Sequence, residues 1–128
     1  MTQLEATLRW KKSALEDLRV AEDMLKLHHF DWALYLGHLA LEKFLKGLIT
    51  HVTNDAPPYI HDLKKLSEVA KLTLTSSQNE DFQEITTFHI KARYDNVKNV
   101  LYKKATKEYA EAYMKKIKEY ALWIQRQY

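Results

Sequence analysis

Residues 32–52, WALYLGHLALEKFLKGLITHV, decide the fold. Apolar and small residues recur there every three or four positions, which is the period of a helix that buries one broad face. These residues are Ala33, Gly37, Ala40, Leu41, Phe44, Leu45, Leu48 and Val52. Gly37 costs about 1 kcal/mol of helix propensity relative to alanine, so we expect a neighbouring helix to approach closely there. The pattern predicts one helix over residues 32–52, with Asp31 as its N-cap.

Four further helices are predicted around this one. The first covers residues 2–27, and its inward stripe is expected to contain Leu4, Leu8, Leu15, Leu18 and Leu25, widened by Trp10, Ala14 and Ala21. A short helix follows the loop 53–61, a fourth begins in a capping box at Ser77, and the last is capped by Thr106. The connections are short except at 53–61 and 95–106, which is typical of antiparallel neighbours. We therefore predict an all-α, antiparallel up-and-down bundle of four long helices and one short helix.

The length and composition favour a single cytoplasmic domain, residues 1–128. One hydrophobic core typically serves about 100–150 residues. The chain has no cysteine, which excludes disulfides and thiolate zinc sites. Its charged beginning lacks the apolar stretch of a signal peptide, and no apolar run approaches the ~20 residues of a membrane span. We therefore expect no association with a membrane.

The charge is divided unevenly along the chain. Residues 91–128 carry ten Lys/Arg against four Asp/Glu, a formal charge of +6, whereas residues 1–90 carry ten against thirteen. A basic segment of this kind favours an anionic partner.

Several kinds of active site are disfavoured by the residues present. His38 and Glu42 share a helix face, but no second His/carboxylate pair follows on another helix, so we expect no metal site and no cofactor. Gly37 and Gly47 both lie within the predicted helix and cannot form a phosphate-binding loop. No serine stands in a nucleophile turn, so a hydrolase triad is not predicted either.

The segment 89–98, HIKARYDNVK, is the main candidate for function. Arginine offers a planar fork for phosphate, tyrosine a stacking face and lysine a positive field. The predicted nucleotide- or RNA-binding residues are Arg93, Tyr94, Asp95, Lys98, Lys103 and Lys104. The alternative is that Arg93 anchors two helices and the lysines are simply solvated. The tyrosines late in the chain leave a similar choice, between an RNA-stacking surface and a helix–helix or subunit interface. These late tyrosines are Tyr94, Tyr102, Tyr109, Tyr113, Tyr120 and Tyr128.

Four motifs together resemble one known family. They are WKKSALEDL at 10–18, ALEKFLK at 40–46, HDL at 61–63 and ARYD at 92–95. Their order and spacing over residues 8–125 are similar to those of the HEPN family, the higher eukaryotes and prokaryotes nucleotide-binding domain. The resemblance implies a helical bundle that forms a homodimer. It also implies a role in toxin–antitoxin or defence systems, or pairing with a small nucleotidyltransferase.

The resemblance further implies a possible catalytic motif. Many members are metal-independent RNases that use an arginine followed, after four to six residues, by a histidine at the dimer interface. Arg93 would be that arginine, but the expected positions hold Lys98, Asn99 and Val100. RNA cleavage needs a group that moves a proton near neutral pH. His89 or Lys98 are therefore the candidate substitutes.

Three functions remain open from the sequence. The first is a module that binds nucleotide or RNA and works with a nucleotidyltransferase. The second is a metal-independent endoribonuclease centred on Arg93. The third is a dimeric structural adaptor in which Arg93 anchors the interface.

Overall fold

The structure, a computed structural model, describes residues 1–90 and 95–128, with the side chains of residues 1–89 and 100–128. The described residues form six helices and no strand: α1 (Gln3–Lys26), α2 (Phe30–Thr53), α3 (Leu63–Val69), α4 (Ser76–Ile90), α5 (Asp95–Lys104) and α6 (Lys107–Gln125). Residues 27–29 alone connect α1 to α2, so these two helices run antiparallel. The predicted all-α antiparallel bundle is confirmed.

Helix α2 is the centre of the bundle, with α1 and α6 packed along it and α3 and α4 beside it. Its predicted close approach at Gly37 is real, and the neighbour is α6. A Cβ atom at Gly37 would lie 2.8 Å from Ile117 Cδ1 and 3.3 Å from Met114 Sδ. Gly37 therefore makes room for the side chains of α6.

The inward face of α1 differs in part from the predicted stripe. Ala14 and Ala21 are buried as predicted, and so is Thr7, whereas Leu4, Leu8 and Leu15 are about half exposed or more. The distance between packed helices depends on the side chains at the contact. Small residues let α1 lie close to α2. Leu18 and Leu25 are partly buried against the core, whereas the other three leucines lie on an outer face.

Two predicted helix ends can be compared with the structure. Thr106 caps α6 as predicted, because its hydroxyl accepts the Tyr109 amide at 3.2 Å. The capping box of α4 lies earlier than predicted. Thr75 accepts the Gln78 amide, and the Gln78 side chain accepts the Thr75 amide, at 3.1 and 2.9 Å. The predicted box at Ser77 is therefore wrong by two residues.

Two further boundaries differ from the prediction. Helix α2 begins at Phe30 and its N-cap position is His29, so Asp31 lies in the first turn instead of capping it. The predicted connection at 95–106 contains helix α5. Leu101 within α5 and Ala105 directly after it, four residues apart, are both buried in the core, so helical spacing lets this polar segment bury one side.

Among the described residues, no helix combines the length and apolar character that crossing a bilayer requires.

Candidate functional site

One face of α2 carries polar side chains into the interior. His38, Glu42 and Lys46 follow each other at four-residue intervals, so they lie one above the other on the helix. All three are nearly or completely buried. Lys46 Nζ donates to Glu42 Oε2 at 3.1 Å, which pairs the two opposite charges away from water.

The loop before α3 brings a histidine onto this face. Asp62 caps α3 by accepting the Lys65 amide at 3.2 Å, and this fixes the position of the preceding residue, His61. His61 Nδ1 lies 2.8 Å from Glu42 Oε1. The His61 carbonyl oxygen accepts from His38 Nε2 at 2.9 Å. Both the ring and the backbone of His61 are therefore held by α2.

A third histidine comes from α4. The His89 ring is buried and stacks on His61, with centroids 3.8 Å apart and planes 25° apart. Its centroid lies 5.2 Å from that of His38. We call this group the histidine cluster; its members are His38, Glu42, Lys46, His61 and His89.

The pKa shifts within the cluster indicate which of its side chains are protonated at neutral pH. Burial lowers the pKa of His38 to about 4, although the bond to the His61 carbonyl and the charge of Glu42 oppose this. His38 is therefore neutral at pH 7. Burial alone would raise the pKa of Glu42, but the hydrogen bond from His61 and the charge and hydrogen bond of Lys46 outweigh it and lower that pKa. Glu42 is an ionised acceptor.

These protonation states fix the tautomer of His61. An ionised Glu42 accepts only, so His61 Nδ1 carries the hydrogen and donates it. Nε2 is then the nitrogen that can take or give a proton when a substrate binds. The His61 side chain is 42% exposed, whereas that of Glu42 is 7% exposed. A buried carboxylate thus orients a histidine that solvent reaches, which is the arrangement of an acid–base pair.

The same residues offer possible metal ligands. Single ligand atoms of His38, Glu42 and His89 all lie within 4.8 Å of one another. The sequence analysis placed His38 and Glu42 on one helix face, and His89 comes from α4. However, Glu42 already accepts from His61 and from the Lys46 ammonium, whose charge opposes a second cation. The contacts therefore suit proton transfer better than metal binding.

The comparisons with known proteins agree with this architecture. A family model described as HEPN domain matches residues 7–127. The chain belongs to the HEPN domain family. A crystal structure of TT1696 from Thermus thermophilus has the same fold, with a TM-score of 0.77 and 21% sequence identity. The alignment covers 95% of this chain and 98% of that one. No curated protein matches the chain.

The predicted HEPN motif residues are only partly covered by the structure. Arg93 and Tyr94 lie outside the described residues, and the side chains of Asp95 and Lys98 do too. His89, the predicted substitute for the missing HEPN histidine, is buried beneath His61. Solvent therefore reaches His61 far more readily than His89.

The two remaining predicted binding residues differ from each other. Lys104 pairs with Glu84 at 2.5 Å and lies against the Tyr109 ring, so it joins helices. Lys103 is exposed and lines a cleft of about 460 Å³ between the α1–α2 turn and the α5–α6 turn. The cleft also contains Tyr102, His28 and Phe30, and the last two rings are stacked with centroids 5.3 Å apart.

Three of the six late tyrosines, Tyr109, Tyr113 and Tyr120, join α6 to α4; the Tyr113 ring packs edge to face with Phe88. The Tyr109 hydroxyl donates to Glu84, and the Tyr120 hydroxyl donates to Asp81 at 2.5 Å. Lys116 also donates to Asp81, at 2.9 Å. We call this group the tyrosine seam; its members are Asp81, Glu84, Lys104, Tyr109, Tyr113, Lys116 and Tyr120. These tyrosines form a helix–helix interface, which was one of the two predicted roles.

His61 is the site residue that the sequence prediction missed. The HDL segment at 61–63 is part of the HEPN resemblance, but nothing local links it to Glu42, nineteen residues earlier. The signal in the sequence was Glu42 itself, a carboxylate within a largely apolar helix, which needs polar partners when it is buried. A histidine near a helix N-cap was one suitable partner for it.

Proposed function

We propose that this HEPN protein binds RNA and cleaves it without a metal, with His61 and Glu42 as the acid–base pair. The observation that carries the proposal is the 2.8 Å contact between the Nδ1 atom of a solvent-accessible histidine and a buried, ionised carboxylate. Family membership supports the choice of RNA as substrate. In this proposal, His61 and Glu42 transfer the proton that a histidine at positions 98–100 would otherwise transfer.

The reaction requires one proton to be removed from the attacking hydroxyl and one to be delivered to the leaving oxygen. His61 Nε2 takes the proton from a ribose 2′-hydroxyl, whose oxygen then attacks the adjacent phosphorus. The bond from phosphorus to O2′ forms while the bond to O5′ breaks. The proton is then delivered to O5′. The products are a 2′,3′-cyclic phosphate and a 5′-hydroxyl. Proton transfer by a positioned group typically contributes about 10²–10⁴-fold in rate.

Glu42 acts by positioning His61 and by stabilising its protonated form. The carboxylate holds Nδ1–H, and His38 holds the backbone of the same residue. Arg93 is proposed to stabilise the charge that develops on the phosphate, because guanidinium groups bind phosphate through two parallel hydrogen bonds. Tyr94, Asp95, Lys98 and Lys103 are proposed to contact the bound RNA.

The direct test is to incubate the purified protein with single-stranded RNA in EDTA. We expect cleavage, products that end in a 2′,3′-cyclic phosphate, and loss of the activity in His61→Gln and Arg93→Ala. Cleavage that His61→Gln leaves unchanged would contradict the role of this pair. The absence of cleavage by the intact protein would contradict the proposed activity itself.

A second candidate function is supported by the missing histidine at positions 98–100. In it, the protein binds nucleotide or RNA without cleaving it and works with a small nucleotidyltransferase, in a toxin–antitoxin or defence system. This version predicts tight RNA binding that Arg93→Ala weakens, no cleavage, and co-purification with a nucleotidyltransferase encoded nearby.

We also propose that the protein is a homodimer, as the family resemblance implies. The outer face of α1 exposes Leu4, Leu8 and Leu15, and rows of exposed leucines favour association. Light scattering tests this: we expect the mass of a dimer for the intact protein and that of a monomer for Leu8→Glu. If Arg93→Ala also separates the subunits and no ligand binds, the adaptor function is favoured instead.

A further inference from the structure

A cavity of about 440 Å³ lies between the start of α1 and the loop that joins α2 to α3. The Gln3 side-chain amide donates to the backbone carbonyls of Thr50 and His51, at 3.1 and 2.9 Å, so the start of α1 is fastened to the end of α2. On the loop side, Pro57 and Pro58 restrict the backbone. The cavity is therefore held in shape before a ligand binds, as is usual for small-molecule sites.

Most of the cavity wall is apolar. Ala6 and Trp10 come from α1, and Pro57 and Pro58 come from the loop. Gly47 lets Trp10 lie directly against α2, because a Cβ atom at Gly47 would be only 2.9 Å from Trp10 Cβ. Walls of this kind favour a ligand that is itself largely apolar, such as an aromatic ring system.

A buried ammonium group also lines the cavity, since Lys46 is only 6% exposed. Its Nζ atom lies 5.8 Å from the centroid of the Trp10 ring. An ammonium group has three hydrogens to donate. Among the described residues, Lys46 donates one of them, to Glu42 Oε2 at 3.1 Å. Two hydrogens therefore remain for an acceptor on a molecule in the cavity.

The charges around the cavity favour an uncharged acceptor over an anion. Glu42 is ionised and already balances the charge of Lys46. Asp55 lines the same cavity and adds a negative charge. A carboxylate or a phosphate on the ligand would be repelled by this excess of negative charge. A carbonyl oxygen can accept from Lys46 without adding any charge.

We propose that this cavity binds a small, uncharged aromatic molecule whose carbonyl oxygen accepts a hydrogen bond from Lys46. The same charges disfavour a nucleotide, because its phosphate is an anion. The site adjoins the acid–base pair but is separate from it, since Lys46 binds Oε2 of Glu42 and His61 lies against Oε1. The inference does not depend on RNA cleavage.

Binding should be measured on the intact protein by saturation-transfer NMR, with 1-naphthamide as the probe. We expect a Kd of about 1 mM or tighter, which corresponds to an ordinary binding energy per ligand atom. 1-Naphthoate has the same shape but carries a carboxylate, and it should bind about fivefold more weakly. Adenosine monophosphate should not compete with 1-naphthamide.

The role of the ammonium group can be tested with Lys46→Met, which keeps the apolar stem and removes the donors. It should weaken binding of 1-naphthamide roughly 10- to 150-fold, the effect of losing a hydrogen bond to a charged group. Lys43→Met is the matched control on the same helix. Lys43 pairs with Asp17 at 2.7 Å and is not among the described residues that line the cavity, so its variant should bind like the intact protein.

The cavity itself can be tested without removing a charge. Ala6→Leu places a larger side chain in the space of the probe and should lower affinity at least about tenfold. Ala112→Leu makes the same exchange at an exposed position of α6 and should have no effect. This second pair of variants keeps the inference testable if Lys46→Met fails to fold.

Three results would overturn the inference. The first is failure of the intact protein to bind 1-naphthamide. The second is binding that Ala6→Leu or folded Lys46→Met leaves unchanged, which would place the probe elsewhere. The third is tighter binding of 1-naphthoate than of 1-naphthamide, which would show that the site takes anions. None of these measurements uses RNA, so they are distinguishable from a failure of the proposed cleavage.

Discussion

The histidine cluster and the tyrosine seam are both hydrogen-bonded networks between helices, and each is built on a carboxylate. In the cluster, Glu42 binds Lys46 and His61. In the seam, Asp81 binds Lys116 and Tyr120. The contacts have similar lengths, but the proton carriers are different: one network contains histidines and the other contains tyrosines.

Under the proposed function, this difference separates the catalytic site from a network that only connects helices. Histidine is the side chain that exchanges protons near neutral pH. Burial raises the pKa of Tyr109, and the bond to Glu84 raises it further; burial and the bond to Asp81 act in the same way on the pKa of Tyr120. Both tyrosines therefore remain protonated donors around neutral pH. The seam holds helices together, and the cluster can move protons.

The largest expected effect is on RNA cleavage. His61→Gln should lower the rate of cleavage about 10²–10⁴-fold, because it removes the group that transfers the proton. Tyr109→Phe, in the seam, should leave the rate unchanged. Single-turnover cleavage of a labelled RNA measures both, and equal effects of the two substitutions would contradict the division between cluster and seam.

The next effect is on stability and concerns the two carboxylates. Glu42→Ala should lower the free energy of unfolding by about 3–5 kcal/mol, because it leaves the buried Lys46 ammonium unpaired. Asp81→Ala should cost less, about 1–2 kcal/mol, because the Lys116 side chain is 43% exposed and water can replace its partner, so that the lost bond from Tyr120 makes most of the difference. Urea unfolding measures both. Losses of equal size would show that burial does not distinguish the two networks.

The fold was largely predictable because it depends on local periodicity. The apolar spacing of residues 32–52 placed α2 within two residues at its start and one at its end. The cap at Thr106 was also read correctly from its residue type. Helix α5 was missed because Asp95 and Asn96 favour turns, whereas the buried pair Leu101 and Ala105 depends on tertiary packing.

The site was less predictable because it depends on contacts between distant residues. The spacing of His38 and Glu42 is local and was recognised as a shared face. Their contacts with His61 and His89 depend on how α3 and α4 pack against α2, which no spacing records. Leu4 and Leu8 illustrate the same limit, since heptad spacing cannot tell an inner face from an outer one.

The third expected effect is a pH dependence of stability. The pKa of His38 is about 4 in the folded protein against an ordinary value of 6.5, so the unfolded chain binds protons more readily between these values. The free energy of unfolding should therefore fall as the pH drops from 6.5 towards 4. The difference corresponds to roughly 3 kcal/mol.

Urea unfolding across this pH range should show a flatter profile in His38→Gln, whose amide can still donate to the His61 carbonyl. His51→Gln is the matched control, because His51 is exposed on the same helix. A profile that His38→Gln leaves unchanged would show that another group carries the dependence. The lowered pKa of Glu42 also makes the free energy of unfolding fall as the pH drops, but only at more acidic pH.

The smallest expected effect concerns the seam alone. Tyr120→Phe removes one donor from Asp81, which keeps its bond to Lys116, so the free energy of unfolding should fall by about 0.5–1.5 kcal/mol. Because the pKa of Tyr120 is raised well above its ordinary value, this loss should be the same at pH 6 and pH 8. Urea unfolding at the two pH values measures it, with the exposed Tyr59→Phe as control. A loss that changed between them would mean that the seam also titrates, and the contrast with the histidine cluster would no longer hold.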